Sequence, residues 1–161
     1  ASGLALLNEK ERNCMETSSF GTGELILDAI RKGATTIYLF IGGSATNDAG
    51  MGIASALGWS FLSKSGEILV PIGENLTKVG RIDGTFLFYK PAKVEFKVVC
   101  DVNNPFYGEN GAAYVYAPQK GATSDEVKIL DLGNKTTYKD KFTLKTRTEK
   151  QNYIVELSIQ L

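Results

Sequence analysis

The chain has no histidine at any of its 161 positions. A Ser-His-Asp triad, a Cys-His pair and histidine-ligated zinc are therefore excluded within it, because each needs an imidazole. Cysteine is nearly as scarce. Cys14 and Cys100 are the only two, and their separation matches no metal-ligand spacing, so they read as reduced thiols rather than a disulfide. Charge of one sign is lacking too: Lys+Arg and Asp+Glu both total 18. No net field favours nucleic acid, and no basic run alternates with aromatics. No apolar run approaches the roughly 20 residues that cross a bilayer, and the N-terminus lacks the charged-then-apolar layout of a signal peptide. These absences lead us to expect no nucleic-acid or membrane partner and a cytoplasmic location. Acid–base work falls to carboxylates, lysine or tyrosine.

What is present is enough apolar material, 43% of residues, to build one domain of ordinary size. The organising stretch is Thr36 to Gly58, TIYLFIGGSATNDAGMGIASALG. Thr36 to Ile41 has the β-branched and aromatic content of a buried strand, Gly42-Gly43 ends it, and a small-residue helix follows. Ser44, Thr46, Asn47 and Asp48 crowd the turn between them, and each can cap a helix or bind a ligand. Such a turn presents backbone N–H groups and a helix N-terminus at the carboxyl end of a strand, where α/β sheets bind phosphate or carboxylate.

Around this unit, Gly3 to Leu7 and the NEKER run read as a short helix. Gly21-Thr22-Gly23 reads either as a hold for a ligand backbone or as a turn before an amphipathic helix whose apolar face is Leu25, Ile26, Ala29 and Ile30, stopped by Gly33. Trp59 to Leu62 and Glu67 to Val70 flank Ser63-Lys64-Ser65-Gly66 as a hairpin, and Glu74 to Val79 forms a short helix. Val94 to Cys100 is a second strong strand, running directly into Asp101-Val102-Asn103-Asn104-Pro105. Ala112 to Ala117 reads as a further strand ending at Pro118-Gln119-Lys120-Gly121. Thr123 and Glu126 have capping-box spacing for a helix through Leu132, stopped by Gly133-Asn134. The segment from Lys135 onward is rich in Lys and Thr, with a strand-like end at Tyr153 to Ile159.

The chemistry rests on three clusters. If the strands before Asp48 and Asp101 are neighbours, both carboxylates leave loops at one sheet edge, where two acids can hold Mg²⁺, or one can hold metal while the other accepts a proton. Taken singly, Asp48 is equally a helix cap and Asp101 a turn former. Asn47, Asn103 and Asn104 tip the balance toward a site, since five short acid or amide side chains exceed what capping needs. Lys120 can meet a phosphate as a point charge, or simply be solvated. No Walker motif or dinucleotide fingerprint is present. The residues by themselves reach an anion-binding α/β domain, such as a phosphotransferase.

Four strings then carry a resemblance: FGTGEL at 20–25, IGGSATNDAG at 41–50, CDVNNP at 100–105, and GENGAA with PQKGA at 108–113 and 118–122. They resemble, in order and separation, the bacterial glycerate kinases of the first type. The resemblance implies an α/β fold with a mixed sheet and flanking helices, akin to the family's second, restriction-endonuclease-like lobe. It covers residues 1–133, incomplete relative to the family, while 134–161 is an atypical tail. The start at Ala1-Ser2 without Met, together with that tail, leads us to expect a truncated or processed product. The activity implied is transfer of the ATP γ-phosphoryl to D-glycerate, giving 2-phosphoglycerate, with ATP and Mg²⁺ as cofactors and homo-oligomerisation left open. In that setting Gly42, Gly43, Ser44, Thr46 and Asn47 cradle phosphate or the glycerate carboxylate. Asp101 with Asn103 serves Mg²⁺ or hydroxyl activation, Asp48 is a second candidate for metal or base, and Lys120 neutralises a phosphate oxygen. The alternative is an incomplete α/β lobe that binds glycerate or nucleotide without turnover.

Overall fold

The computed structural model describes residues 1–89, 93–141, 143–149 and 152–158, with side chains described as far as Thr137. Ile159 of the expected C-terminal strand lies outside the described residues. Two short 3-10 turns, Leu4–Leu6 and Glu9–Glu11, precede helix α1 at Phe20–Arg31. The helix therefore starts earlier than the Gly-Thr-Gly string suggests, and takes that string into its first turns. Its buried face is Gly23, Ile26 and Leu27, with Ile30 packed behind, while Leu25 is 61% exposed. That is an i, i+3, i+4, i+7 stripe, one residue away from the expected one. Gly33 follows at φ +96°, a left-handed stop as expected.

Strand β1, Thr36–Phe40, leads through the glycine-rich turn to helix α2, Met51–Ala56. The two helices cross where α1 has Gly23 and α2 has Gly52. A Cβ on Gly23 would lie 2.6 Å from the Cβ of Ala56, and one on Gly52 would collide with the backbone N of Phe20. The glycines let two backbones touch. This explains the second glycine of Gly-Thr-Gly without any ligand.

Strand β2, Ser60–Ser63, pairs antiparallel with β3, Val79–Asp83, after a 3-10 stretch at Gly73–Lys78. The expected second arm at 67–70 pairs with β2 only through an isolated antiparallel bridge, Leu62 opposite Ile68, with Ser63 N–H donating to Glu67 O and Leu69 N–H to Phe61 O, each at 2.8 Å. Val79, 5% exposed, offers β2 a core partner, whereas Ile68 and Val70 are 76% and 61% exposed. Strand β4, Glu95–Cys100, falls where the sequence puts it.

Ala112–Tyr116 is a helix, α3, and not a strand. Ala113 and Ala117 are wholly buried at i, i+4 while Tyr114 and Val115 face outward, so a small-residue stripe overrides the β propensity of the intervening residues. Helix α4 opens at the predicted Thr123–Glu126 capping box, with Thr123 N–H donating to Glu126 Oε2 at 2.7 Å. It then runs on to Lys141, through the expected stop. Gly133 is a packing residue, since a Cβ there would sit 2.5 Å from that of Leu76.

Two further strands, β5 (Thr143–Glu149) and β6 (Asn152–Ser158), complete a four-stranded sheet in the order β1-β4-β6-β5. Within it β1 and β4 are parallel and the other pairings antiparallel. The fold is thus mixed α/β. Its core joins Ile26, Leu27, Met51, Phe61, Leu76 and Leu130 with Ile37, Leu39 and Phe96 from one face of the β1–β4 pair. The burial expected of β1 holds on one face only: Tyr38 and Phe40, on its other face, are 60% and 73% exposed.

Candidate active site

The two polar loops do leave the sheet together. β1 and β4 are adjacent and parallel with Phe40 opposite Val99, and Ile41 N–H extends the ladder to Val99 O at 3.3 Å. Loops 42–48 and 101–105 therefore spring from neighbouring carboxyl ends, where an α/β sheet leaves its crevice.

The first loop is held from below and left open above. Leu4 N–H donates to Gly43 O and Ala45 N–H to Ser2 O, each at 2.8 Å, and Thr17 Oγ1 donates to Ala45 O at 2.9 Å. Gly43 has φ +70°, and a Cβ at Gly42 or Gly43 would meet no protein atom within 4 Å. Internal packing does not demand these glycines, so the open backbone is free for close approach by a ligand.

Lys120, the third predicted cluster, is tied to this loop. Its side chain is only 9% exposed and its Nζ donates to Ser44 Oγ at 3.0 Å and to Thr46 O at 2.7 Å. Burial lowers its pKa below that of an ordinary lysine, partly offset by Asp48 and Cys14. The ammonium is directed inward, bracing the loop.

Asp48 is 2% exposed and its carboxylate is fully engaged. Oδ2 accepts from Ser19 N–H and Ser19 Oγ, both at 2.7 Å, and from Gly52 N–H at 3.1 Å; Oδ1 accepts from Gly50 N–H at 3.1 Å. The helix cap itself is Gly50 in a left-handed conformation, so Asp48 secures the start of α2 from two residues upstream and ties it to α1. Ser19 returns the bond pattern by accepting from Ile53 N–H at 3.1 Å. Thr46 is buried beside it and Asn47 half-buried.

The second loop divides in two. Asn104 donates to Asn110 O at 3.0 Å and accepts from Tyr116 Oη at 2.5 Å, Ala112 N–H reaches Pro105 O at 3.0 Å, and Gly108 N–H reaches Asp131 Oδ1 at 2.7 Å. Asp101 and Asn103, by contrast, are exposed, with no hydrogen-bond or ion-pair partner among the described residues. Ser19, Tyr116 and Asp131 escaped the sequence reading. Ser19 had a usable signal as the polar residue preceding a helix; the other two act across the fold and had none.

No group of three or more His, Cys, Asp or Glu side chains is placed to hold a metal among the described residues. Magnesium is commonly held by one or two carboxylates plus substrate phosphates, so the single open carboxylate of Asp101 fits a metal that arrives with a nucleotide. An apolar groove of about 330 Å³ lies between Phe20, Trp59, Phe61, Ile68 and Pro71, and no predicted site residue lines it.

The class the structure defines is a mixed α/β lobe with an open glycine-rich loop and, among the described residues, an unpartnered acid at one edge of a parallel strand pair. Residues 1–152 match the Glycerate kinase family, and the chain belongs to it. It is 47% identical over 131 residues to a glycerate kinase of Halalkalibacterium halodurans, covering 81% of this chain and 34% of that protein. To a glycerate 2-kinase of Escherichia coli it is 42% identical over 138 residues, covering 86% and 36%. A crystal structure assigned to glycerate kinase 2 of Salmonella typhimurium LT2 superposes with a TM-score of 0.80 at 39% identity, covering 84% of this chain and 36% of that one. The chain spans about a third of the length of these relatives.

Proposed function

We propose that this chain forms part of a glycerate kinase that transfers the ATP γ-phosphoryl to D-glycerate and yields 2-phosphoglycerate. The observation that carries the reading is the adjacency of β1 and β4, whose loops meet at one sheet edge in a member of the Glycerate kinase family. Phosphoryl transfer depends mainly on positioning and charge neutralisation, and the loops offer both. In this reading the open N–H groups of Gly42, Gly43 and Ser44 receive a phosphate or the glycerate carboxylate. Asp101 and Asn103 face the transferred group, Asp101 ligating a nucleotide-borne Mg²⁺ or accepting the hydroxyl proton.

Two sequence-derived roles change. Asp48, with four donors on its carboxylate, holds the loop's shape instead of a metal or a proton. Lys120 braces Ser44 and Thr46, so its charge acts on a bound anion through the loop's backbone more than by contact. The same proposal makes 1–133 the kinase-like lobe, supported by the match of 131 residues to the Halalkalibacterium halodurans kinase. It equates the lobe with the family's restriction-endonuclease-like one, supported by the likeness to the structure assigned to glycerate kinase 2 at a TM-score of 0.80. It sets the protein in the cytoplasm, supported by two unpaired cysteines.

The test is an ATP-, Mg²⁺- and D-glycerate-dependent assay on the chain, alone and with the remainder of a relative's chain supplied, the product being assigned by phosphorus NMR. Formation of 2-phosphoglycerate in either arm supports the reading. Binding of glycerate or nucleotide without turnover in both arms would leave the non-enzymatic lobe as the answer.

A further inference from the structure

Parallel strand pairs are almost always covered on both faces, because the crossover connections that make them parallel lay helices over the sheet. Here the whole connection between β1 and β4 contributes to one core, through Met51, Leu57, Phe61, Leu76 and Val79, and that core takes Ile37, Leu39 and Phe96 from the strands. Among the described residues the opposite face has no such cover. Tyr38 and Phe40 stand 60% and 73% exposed, in register with Lys97 and Val99. Their near company is Lys97, whose Nζ lies 5.4 Å from the Tyr38 ring and 3.2 Å from Glu95 Oε2. β1 is also an edge strand, paired only with β4 among the described residues. Two large aromatic rings standing exposed on an edge strand, beside one Lys97–Glu95 ion pair, make a surface that soluble proteins cover.

We infer that this face, centred on Tyr38 and Phe40, is the seam onto which the rest of a glycerate kinase polypeptide packs, with apolar side chains over the two rings. The length of chain lying elsewhere selects that occupant over a second copy. The relatives carry about two-thirds of their residues outside the matched region, enough to supply the layer that the crossover between β1 and β4 does not. The seam belongs to the same strand whose carboxyl end carries Gly42 and Gly43, so covering it also restrains the site loop. The inference rests on family membership and not on turnover.

Thiol labelling tests it independently of activity. Cys14 is fully buried, so a Cys100→Ser chain bearing Phe40→Cys presents one reactive thiol. In the chain alone that thiol should label fast and at a rate independent of protein concentration. In a hybrid, the matched segment of the Halalkalibacterium halodurans kinase is exchanged for the corresponding residues of this chain. Labelling there should slow about tenfold or more, as expected when a site must open before it reacts. Equal rates in the two proteins would overturn the proposal, as would protection that grows with concentration of the chain alone, which would make a second copy the occupant. Should the hybrid be insoluble, the remainder of that kinase is co-expressed as a separate polypeptide; unchanged labelling with no co-purification then counts against the proposal.

Discussion

Replacing Asp48 separates an internal anchor from a chemical group. Its carboxylate accepts from Ser19 N–H, Ser19 Oγ and Gly52 N–H, all in buried surroundings, and from Gly50 N–H in a half-buried one. Asp48→Ala strands these donors around the space the carboxylate leaves. At about 1 kcal/mol or somewhat more for each buried donor left unpaired, the loss comes to about 3–5 kcal/mol. Against the ~5–15 kcal/mol that holds a typical domain together, that is a large share. Asp48→Asn is the informative control. Its amide oxygen can keep the three bonds at Oδ2, while its NH₂ opposes Gly50 N–H, so the expected cost is about 1–2 kcal/mol. Urea unfolding followed by tryptophan fluorescence reads both, since Trp59 is the single tryptophan and is 7% exposed. An Asp48→Ala chain within ~1 kcal/mol of the parent would refute the anchor, because four lost bonds cannot be so cheap unless the loop is not held this way.

Other expectations follow from the same geometry. Gly23→Ala should destabilise by about 1–3 kcal/mol despite alanine's better helix propensity, because the added Cβ would sit 2.6 Å from that of Ala56; adding Ala56→Gly should recover part of the loss in the same unfolding assay. Asp101→Asn, at an exposed position without partners, should leave stability within about 0.5 kcal/mol and lower turnover of the assembled enzyme about a hundredfold or more, so near-parental turnover would remove Asp101 from the chemistry. Burial lowers the folded pKa of Lys120 below 10.5, so between the two values the unfolded chain holds a proton that the folded one has released. Stability from this group is then complete above 10.5 and is lost as pH falls through the folded value. Cys14 works in the opposite sense, raised above 9.0 by burial, so stability from it falls as pH climbs past 9.0. In a Cys14→Ala background, Lys120→Met should flatten the rise of stability toward high pH; an unchanged slope would contradict the lysine's burial.

Short-range chemistry was legible wherever one segment decides the outcome. The strand into Asp101, the left-handed stop at Gly33 and the Thr123–Glu126 capping box were all read from local pattern and all stand. Misreadings arose where a distant partner decides. Ala112 to Ala117 alternates like a strand, but two alanines four apart fit a buried seam that no local rule anticipates. Gly133 has the look of a helix stop, yet it serves the approach of Leu76 from another part of the chain.

The candidate site divides the same way. The residue types and order of GGSATND, CDVNNP and PQKG were in the sequence, and with them the family resemblance, because ligand chemistry needs particular side chains at short spacings. Which groups remain free was decided only by tertiary structure. Ser19 lies 29 positions from Asp48 and occupies its carboxylate, and Lys120 lies 76 positions from Ser44 and turns its ammonium inward, whereas Asp101 leaves the neighbouring strand unpartnered. A sequence states which groups can donate or accept. Only the folded backbone brings donor to acceptor, and burial then makes an unpaired group too costly to leave, which separates the carboxylate that holds the loop from the one left exposed at the sheet edge.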